Sequence, residues 1–384
     1  METITQIKNR GGVLPRRTFL RCAGAGAMGL ALANLVSSRA IAQAAGAAAP
    51  SPAGKALRGL FPIASTPYTP DDKLDLECLA NEVKFCKKDG VHGLVWPQIA
   101  SGWTALKEDE RLAGAEAMLA AGKGGKTALV IGVQSQDGNM QTVEKYAKHA
   151  AQHGADAIVS LPPTGVSDEK VLLEYYQQVG KMTDLPLFVQ TQNEMSVDLV
   201  VQIFQTIPTA RYAKDEASAG GGALQRISEI RRRTNDQMKV FSGQGVRTMI
   251  NEMELGFSGH CPYVALADLY AQAFDLFHAG KKEDAFAMFG RIQAFGTMGL
   301  STNGTAIMVA RGMFKMTTRS RSAPSAAGTP ESTGGGGGGG GRGRGGRGGG
   351  GGGGAPAMPL ADEVKAIRTA LDTYLKPYLR GDLV

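Results

Sequence analysis

Short apolar runs alternate with amphipathic stretches of helical length from residue 55 onward. Runs such as TALVIG, DAIVSL and PLFVQ are largely apolar, as strands buried on both faces of a parallel sheet must be. The predicted strands are 61–66, 92–96, 127–132, 156–161, 186–190, 210–213, 239–242 and 257–264. The predicted helices lie near 75–89, 107–121, 138–152, 168–182, 196–205, 221–233 and 246–255, with another beginning at 266.

Capping residues mark the starts of several predicted helices. Asp75, Asp168 and Ser196 each stand directly before an amphipathic stretch, where a side-chain oxygen can accept a hydrogen bond from the first turn. Eight strand–helix units across about 220 residues predict an α/β fold, the parallel (β/α)8 or TIM barrel. A doubly wound open sheet is the alternative, but it requires a Gly-rich phosphate loop after an early strand, and this sequence has none.

The helical pattern continues beyond the eighth unit, near 266–279, 282–296 and 301–315, and predicts a C-terminal helical extension. A tract of 18 Gly and three Arg at 334–354 interrupts it, and 360–380 then resumes as an amphipathic helix that would dock back through a flexible tether. The predicted organisation is a signal peptide at 1–42, a flexible leader at 43–56, the barrel with its extension at 57–320, a disordered Gly/Arg-rich insertion at 321–358 and a C-terminal helix at 359–384.

Composition excludes a wholly disordered protein, because 43% of the 384 residues are hydrophobic. The formal net charge of +7 is concentrated in the first 42 residues and the Gly/Arg tract, which leaves the main body nearly neutral. A neutral body has no general preference for nucleic acid, and the three Arg of the tract give only a weak electrostatic footprint. We therefore predict no nucleic-acid partner; an RNA-associated role rests on that tract alone.

The first 42 residues have the layout of an export signal. The sequence RRTFLR, which begins at Arg16, resembles a twin-arginine signal. A weakly apolar run at 22–36 follows, and the small residues of AIA at 40–42 give a cleavage site before Gln43. A membrane anchor is the alternative, but a spanning helix needs ~20 apolar residues and this run is shorter. We predict a bacterial protein that the twin-arginine machinery exports to the periplasm or beyond.

One predicted strand end carries a lysine. In parallel barrels the active site forms at the carboxyl ends of the strands, and Lys214 directly follows the apolar run that ends the sixth strand. A partly desolvated lysine amine can attack a carbonyl and form a Schiff base. The alternative is a structural lysine that pairs with Asp215 or Glu216.

Together with this lysine, several segments resemble the dihydrodipicolinate synthase / N-acetylneuraminate lyase superfamily of class I aldolases over roughly residues 57–320. The segments are FPIASTPY at 61–68, ALKEDER at 105–111, IGV at 131–133, HGADA at 153–157, TDLPL at 183–187, YAKDE at 212–216 and FSG at 241–243. The resemblance implies that Lys214 forms a Schiff base with a 2-oxo acid, either pyruvate or a 2-oxo sugar acid. Aldol cleavage, condensation or dehydration would follow, in a homotetramer or dimer, with no cofactor.

The chain departs from the family's pattern at three strand ends. The family's carboxylate-binding loop corresponds to 98–102 (QIASG), and only its small residues, such as Ser101 and Gly102, agree with the family's pattern. The family's proton-shuttling Tyr falls on Pro163 or Thr164, so no phenol stands there. The fifth strand ends at Gln190 in place of the family's usual motif.

From this correspondence we predict a substrate site and two functional alternatives. The predicted substrate-binding residues are Ser101, Gly102, Gln190, Ser242 and Gly243. Thr164 with water is a candidate proton relay; Tyr68, Glu216 and His260 are others. The alternative function is a catalytically silent barrel that binds a small acid or a partner protein.

No metal site is predicted. His149 and His153 have the i, i+4 spacing of metal ligands, but no Glu stands beside them in the sequence and no third ligand is evident. We expect both to lie on a solvated helix surface. His260 and Cys261 are adjacent on a strand and therefore point to opposite faces, so they do not share a metal.

Overall fold

The computed structural model describes residues 51, 54–192, 195–216, 223–243, 246–300, 304–321 and 358–380. The predicted signal peptide at 1–42, most of the leader at 43–56 and nearly all of the insertion at 321–358 lie outside these residues. Among the described residues, no helix combines the length and apolarity that crossing a membrane requires.

Eight parallel strands form a single sheet in the order β1-β8-β7-β6-β5-β4-β3-β2. They are β1 (Gly59–Leu60), β2 (Gly93–Trp96), β3 (Ala128–Gly132), β4 (Ala157–Ser160), β5 (Leu187–Gln190), β6 (Tyr212–Asp215), β7 (Lys239–Ser242) and β8 (Gly259–His260). A bridge between Ile63 and Val95 brings the chain after β1 against β2 and closes the ring. The predicted (β/α)8 barrel is confirmed.

Helices follow the strands and surround the barrel. They are α1 (Leu76–Lys88), α2 (Glu108–Gly122), α3 (Met140–Gln152), α4 (Glu169–Val179), α5 (Val197–Thr206), α6 (Ala223–Arg233), α7 (Met249–Glu254) and α8 (Ala267–His278). The predicted caps are confirmed, because the side chains of Asp75, Asp168 and Ser196 accept hydrogen bonds from the first turns of α1, α4 and α5.

Three strand predictions differ clearly from the structure. The first strand was expected at 61–66, but its regular ladder ends at Leu60, because Pro62 has no N–H to donate towards β2. The chain still runs alongside its neighbours, since Ile63 donates to the carbonyl of Pro262 at 2.8 Å. The sixth strand was expected at 210–213 and instead extends to Asp215. The eighth strand was expected at 257–264, but its regular ladder covers only Gly259–His260.

Alternate strand residues point into the barrel and fill its interior. The interior cluster consists of Leu57, Phe61, Ile63, Val95, Ala128, Val130, Ala157, Val159, Phe188, Tyr212, Phe241 and Cys261. Two glycines make room for its rings: a Cβ at Gly93 would lie 2.4 Å from the ring of Phe61, and one at Gly259 would lie 2.4 Å from the ring of Phe241. These side chains fill the interior of the barrel. We therefore expect the active site at the carboxyl ends of the strands.

The C-terminal extension consists of α9 (Lys282–Gly296), α10 (Gly304–Ala310) and α11 (Leu360–Ala370). A π turn at Leu371–Leu375 and a 3-10 turn at Lys376–Tyr378 follow α11. The last helix packs against α10, and together with the π turn it buries side chains in the main hydrophobic core: Val364, Ile367, Ala370, Leu371 and Leu375. The helix lies within the amphipathic pattern at 360–380 and ends at Ala370, where the π turn begins.

Candidate active site

Lys214 lies inside β6 and faces the barrel interior. It shares a strand face with Tyr212, which belongs to the interior cluster, whereas Ala213 packs against the helices. The Lys214 side chain is only 4% exposed. A lysine buried to this extent requires a polar partner, and the chain supplies one two residues later, directly after β6.

That partner is Glu216. The Lys214 Nζ atom lies 2.7 Å from Glu216 Oε1. The other carboxylate oxygen, Oε2, accepts a hydrogen bond of 2.7 Å from Gln190 Nε2. Gln190 stands directly opposite Lys214 in the β5–β6 ladder. A buried amine, a carboxylate and a primary amide are therefore joined in one hydrogen-bonded chain at the end of the barrel.

Gly243 and Cys261 lie beside this chain. A Cβ at Gly243 would be 2.2 Å from Glu216 Cγ, so only a glycine leaves the space that the Glu216 side chain occupies. Cys261 is part of the interior cluster. Burial raises the pKa of the Cys261 thiol to about 12, against the attraction of the Lys214 charge, so this group is a neutral thiol at neutral pH.

Asp215 lies on the face of β6 opposite to Lys214, and its hydrogen bonds stabilise the site from the helix side. It is fully buried and accepts hydrogen bonds from Thr191 Oγ1 at 2.6 Å and Arg226 Nε at 2.9 Å. The same Thr191 hydroxyl oxygen accepts from the backbone N–H of Glu216 at 3.1 Å. This network fixes the backbone from which the Glu216 side chain extends towards Lys214.

Ser242 and His260 point away from Lys214. Ser242 stands opposite Asp215 in the ladder and donates to Glu252 Oε1 on α7 at 2.9 Å. His260 Nδ1 lies 2.8 Å from the other oxygen of Glu252, and all three side chains are fully buried. Ser242 was predicted to bind substrate, but its hydroxyl serves this network between the barrel wall and α7.

The loop after β2 is held by its own hydrogen bonds. Ser101 Oγ accepts from the backbone N–H of Gln98 at 2.7 Å and lies 2.6 Å from the carbonyl oxygen of Gln98, to which it donates. The hydroxyl predicted to bind a carboxylate therefore closes a 3-10 turn. Gly102 is exposed and has a φ of 67°, in the left-handed region that favours glycine, where one 3-10 turn passes into the next.

Glutamines collect at the carboxyl ends of the strands. Gln98 and Gln134, after β2 and β3, are buried with their amide groups 3.5 Å apart, and Gln134 Nε2 donates to the carbonyl of Pro97 at 3.0 Å. The Oε1 atoms of Gln98 and Gln190 have no hydrogen-bond partner within the described part of the chain. Each is a buried acceptor that a hydroxyl or amide of a bound molecule can satisfy.

Thr164 lies exposed in the turn between β4 and α4. A phenol near the barrel mouth, that of Tyr263, was not among the predicted site residues; it follows Cys261 by two residues. Ser65 Oγ donates to the Tyr263 hydroxyl at 2.8 Å. Counting alternate residues onward from the interior residue Cys261 would have found this phenol.

The comparison with family models decides the relationship of the whole barrel. The model of the dihydrodipicolinate synthetase family matches residues 56–322, which include every strand and the buried lysine. The chain belongs to this family.

Other members of the dihydrodipicolinate synthetase family are similar to the chain at a moderate level. An uncharacterised DapA-like lyase of Thermococcus kodakarensis is 25% identical over 237 residues, which cover 60% of this chain and 79% of that protein. The 4-hydroxy-tetrahydrodipicolinate synthase of Methanosarcina acetivorans is 27% identical over 202 residues, which cover 50% of this chain and 65% of the synthase. These relatives support a general lyase function of the class I aldolase type.

Solved structures of the family share the fold. A prophage protein of the dihydrodipicolinic acid synthase family from E. coli, in complex with pyruvate, has a TM-score of 0.62 at 18% identity and covers 83% of this chain and 98% of its own. N-acetylneuraminate lyase from Mycoplasma synoviae has a TM-score of 0.62 at 17% identity, with 83% and 98% covered. At these identities the similarity shows that the fold is shared and does not identify a substrate.

Proposed function

We propose that the chain is a lyase in which Lys214 forms a Schiff base with the carbonyl of a 2-oxo acid. The observation that carries the proposal is the contact of 2.7 Å between Lys214 Nζ and Glu216 Oε1, inside the barrel and with the lysine 4% exposed. A desolvated amine beside a proton acceptor is the arrangement that nucleophilic lysine chemistry requires.

Glu216 would move the protons that the family's missing tyrosine cannot. As a carboxylate it takes a proton from the Lys214 ammonium, and the neutral amine then attacks the carbonyl carbon. A proton of the attacking nitrogen passes to the new alkoxide oxygen and gives the carbinolamine. Glu216 then returns its proton to that hydroxyl, which leaves as water, and the iminium remains. Gln190 holds the second carboxylate oxygen at 2.7 Å and so fixes the orientation of the group during both transfers.

The glutamines favour a hydroxylated 2-oxo acid as substrate. The unpartnered Oε1 atoms of Gln98 and Gln190 are acceptors for substrate hydroxyls. One related barrel binds pyruvate and another is N-acetylneuraminate lyase. These two proteins suggest the range of substrate size. Cleavage, condensation and dehydration remain the alternative reactions of the iminium, and a homotetramer or dimer remains our prediction for assembly.

Borohydride trapping tests the proposal. The full-length chain is incubated with pyruvate or with a panel of 2-oxo sugar acids, reduced, and analysed by intact mass and peptide mapping. We expect a reduced adduct on Lys214 that is lost in Lys214→Ala. Lys239→Ala is the matched control, because Lys239 is also a strand lysine but stands at the start of β7, where its Nζ donates to the carbonyl of Asp236.

Glu216→Gln separates proton transfer from binding. The amide still reaches Gln190 and Lys214 but no longer accepts a proton, so we expect kcat to fall by about 10²–10⁴-fold with a much smaller change in KM. Absence of an adduct with every 2-oxo acid, in a protein shown to be folded, would contradict the Schiff-base proposal.

The same ion pair also suits a second function, a silent barrel that binds a small acid or a partner protein. In that case Lys214, Glu216 and Gln190 form a closed structural network. The trapping experiment distinguishes the two, because a structural lysine gives no adduct while a bound acid still raises the melting temperature of the protein.

We also propose export by the twin-arginine machinery, supported by the sequence from Arg16 to Gln43. Replacing Arg16 and Arg17 with Lys keeps the charge of the segment but changes the paired guanidinium groups. We expect the precursor to accumulate in the cytoplasm, measured by cell fractionation and the mass of the N-terminal peptide. Arg39→Lys, outside the pair, is the control. Equal export of all three proteins would contradict the assignment.

A further inference from the structure

Two histidines and a glutamate converge on the outer surface of the barrel, away from the lysine site. His149 and His153 lie at the end of α3 and just after it, and Glu116 belongs to the neighbouring helix α2. His149 Nε2 is 2.8 Å from Glu116 Oε1, and His153 Nε2 is 3.8 Å from the same oxygen. The third ligand that the sequence did not reveal comes from a helix more than thirty positions away.

The spacing of the three ligand atoms matches a tetrahedral metal ion. All three lie within 4.8 Å of one another. Zinc binds imidazole nitrogen and carboxylate oxygen at about 2.0–2.2 Å, so two tetrahedral ligands are roughly 3.3 Å apart. The observed N–O separations of 2.8 and 3.8 Å bracket that value, so an ion enters with small side-chain adjustments.

The orientation of the rings supports the same conclusion. The two imidazole rings are 4.3 Å apart between centroids and tilted by 33°, with both Nε2 atoms turned towards one carboxylate oxygen. One carboxylate oxygen of Glu116 therefore lies within reach of both imidazole nitrogens.

Nearby cations do not compete for Glu116. Lys145 pairs with Glu108, and Lys148 pairs with Glu144 at 2.6 Å. The His153 and Glu116 side chains are 41% and 50% exposed, which gives an ion direct access from solvent. The charge and the opening of the cluster therefore both suit a cation.

We propose that Glu116, His149 and His153 bind a zinc-type divalent cation, with water as the fourth ligand. Two nitrogens and one oxygen form a ligand set that suits Zn²⁺, and also Cu²⁺ and Ni²⁺, better than Mg²⁺ or Ca²⁺. The ion would link α2 to α3 on the outside of the barrel. Its role is then to hold two helices of the outer layer together, without a part in the chemistry at Lys214.

The test uses the untagged full-length chain, freed of metal by chelation and titrated with ZnCl₂ in a calorimeter. We expect one saturable site, an increase of the melting temperature on zinc addition, and with Co²⁺ the visible absorption of a tetrahedral complex. His153→Ala and Glu116→Gln should each weaken zinc binding by at least about tenfold and remove the thermal shift. Both side chains are exposed, so both variants should fold, as far-UV circular dichroism checks.

Glu144→Gln is the matched control, because this glutamate lies on α3 and pairs with Lys148 outside the cluster. Its zinc binding should equal that of the parent chain. Two results would overturn the proposal: no saturable zinc binding by the parent chain, or binding that the His153 and Glu116 substitutions leave unchanged, which would place the ion elsewhere.

Discussion

Glu82 shows how a single side chain can set the response of the molecule to pH. It lies on α1 and is fully buried, and its Oε2 accepts a hydrogen bond of 2.8 Å from the backbone N–H of Ser65. Its Oε1 has no partner among the described residues. Burial without a cation raises the pKa of the Glu82 carboxyl well above its ordinary value, because the charged form loses its hydration.

Glu82→Gln should therefore stabilise the fold in a pH-dependent way. Between the ordinary glutamate pKa and the raised pKa of folded Glu82, the folded state holds a proton that the unfolded state has lost, so stability falls as pH rises. The glutamine keeps the acceptor for Ser65 and removes this dependence. We expect the free energy of unfolding of the variant to exceed that of the parent chain more at pH 8 than at pH 5.

Each pKa unit between the folded and unfolded states corresponds to about 1.4 kcal/mol, which denaturant titrations at the two pH values can resolve. Glu77→Gln serves as the control, because Glu77 is an exposed residue of the same helix that pairs with Lys315 on the surface. The idea fails if the two substitutions show the same change between pH 5 and pH 8.

At the scale of secondary-structure elements, one ion pair connects α6 to the sixth strand. Arg226 is 11% exposed and Asp215 is fully buried, with 2.9 Å between Arg226 Nε and Asp215 Oδ1. Asp215 also accepts from Thr191 on the neighbouring strand. The residue after Asp215 is Glu216, so this helix–strand connection also sets the position of the carboxylate beside Lys214.

Arg226→Ala should reduce both stability and activity. It leaves the buried Asp215 carboxylate with Thr191 as its remaining side-chain partner, and breaking a buried pair in this way lowers the free energy of unfolding by about 3–5 kcal/mol. Arg232→Ala on the same helix is the control, because the Arg232–Glu229 pair is exposed and its loss should leave stability nearly unchanged. Equal melting temperatures for the two variants would show that the Arg226–Asp215 pair stabilises the fold no more than the exposed Arg232–Glu229 pair does.

At the scale of the whole molecule, the last described helix packs onto the protein core although it lies far from α10 in the sequence. α11 begins at Leu360 and packs against α10, which ends at Ala310. Ile367 is fully buried in the main hydrophobic core, whereas Lys365 on the same helix is exposed. The amphipathic face of the helix, and not the length of the chain before it, fixes where it binds.

Ile367→Ala should destabilise the entire protein, because it leaves a cavity in the shared core. We expect a loss of about 2–5 kcal/mol in the free energy of unfolding, seen as a single cooperative transition. Lys365→Ala should change stability by less than about 0.5 kcal/mol. A separate early transition in the Ile367 variant would instead mean that α11 melts independently of the barrel.

Much of the architecture could be predicted because burial on both faces imposes a simple pattern. Strands such as Ala128–Gly132 are apolar throughout, and polar caps such as Asp168 mark where helices begin. The first strand was predicted at the wrong residues, because an apolar pattern does not take into account that Pro62 has no N–H for a ladder hydrogen bond. The segment 1–42 and the Gly/Arg insertion remain predictions from composition and motif.

The sequence by itself determined the barrel and the amphipathic C-terminal helix, because both follow from local periodicity, and it placed a lysine at the end of the sixth apolar run. Only the tertiary structure decided which groups meet. Glu216 approaches Lys214, whereas Asp215 and Ser242 turn to the other face, since a shift of one residue along a strand reverses the side. Glu116 meets His149 and His153 because α2 packs against α3. A contact between two helices has no fixed spacing in the sequence, so the sequence did not reveal it.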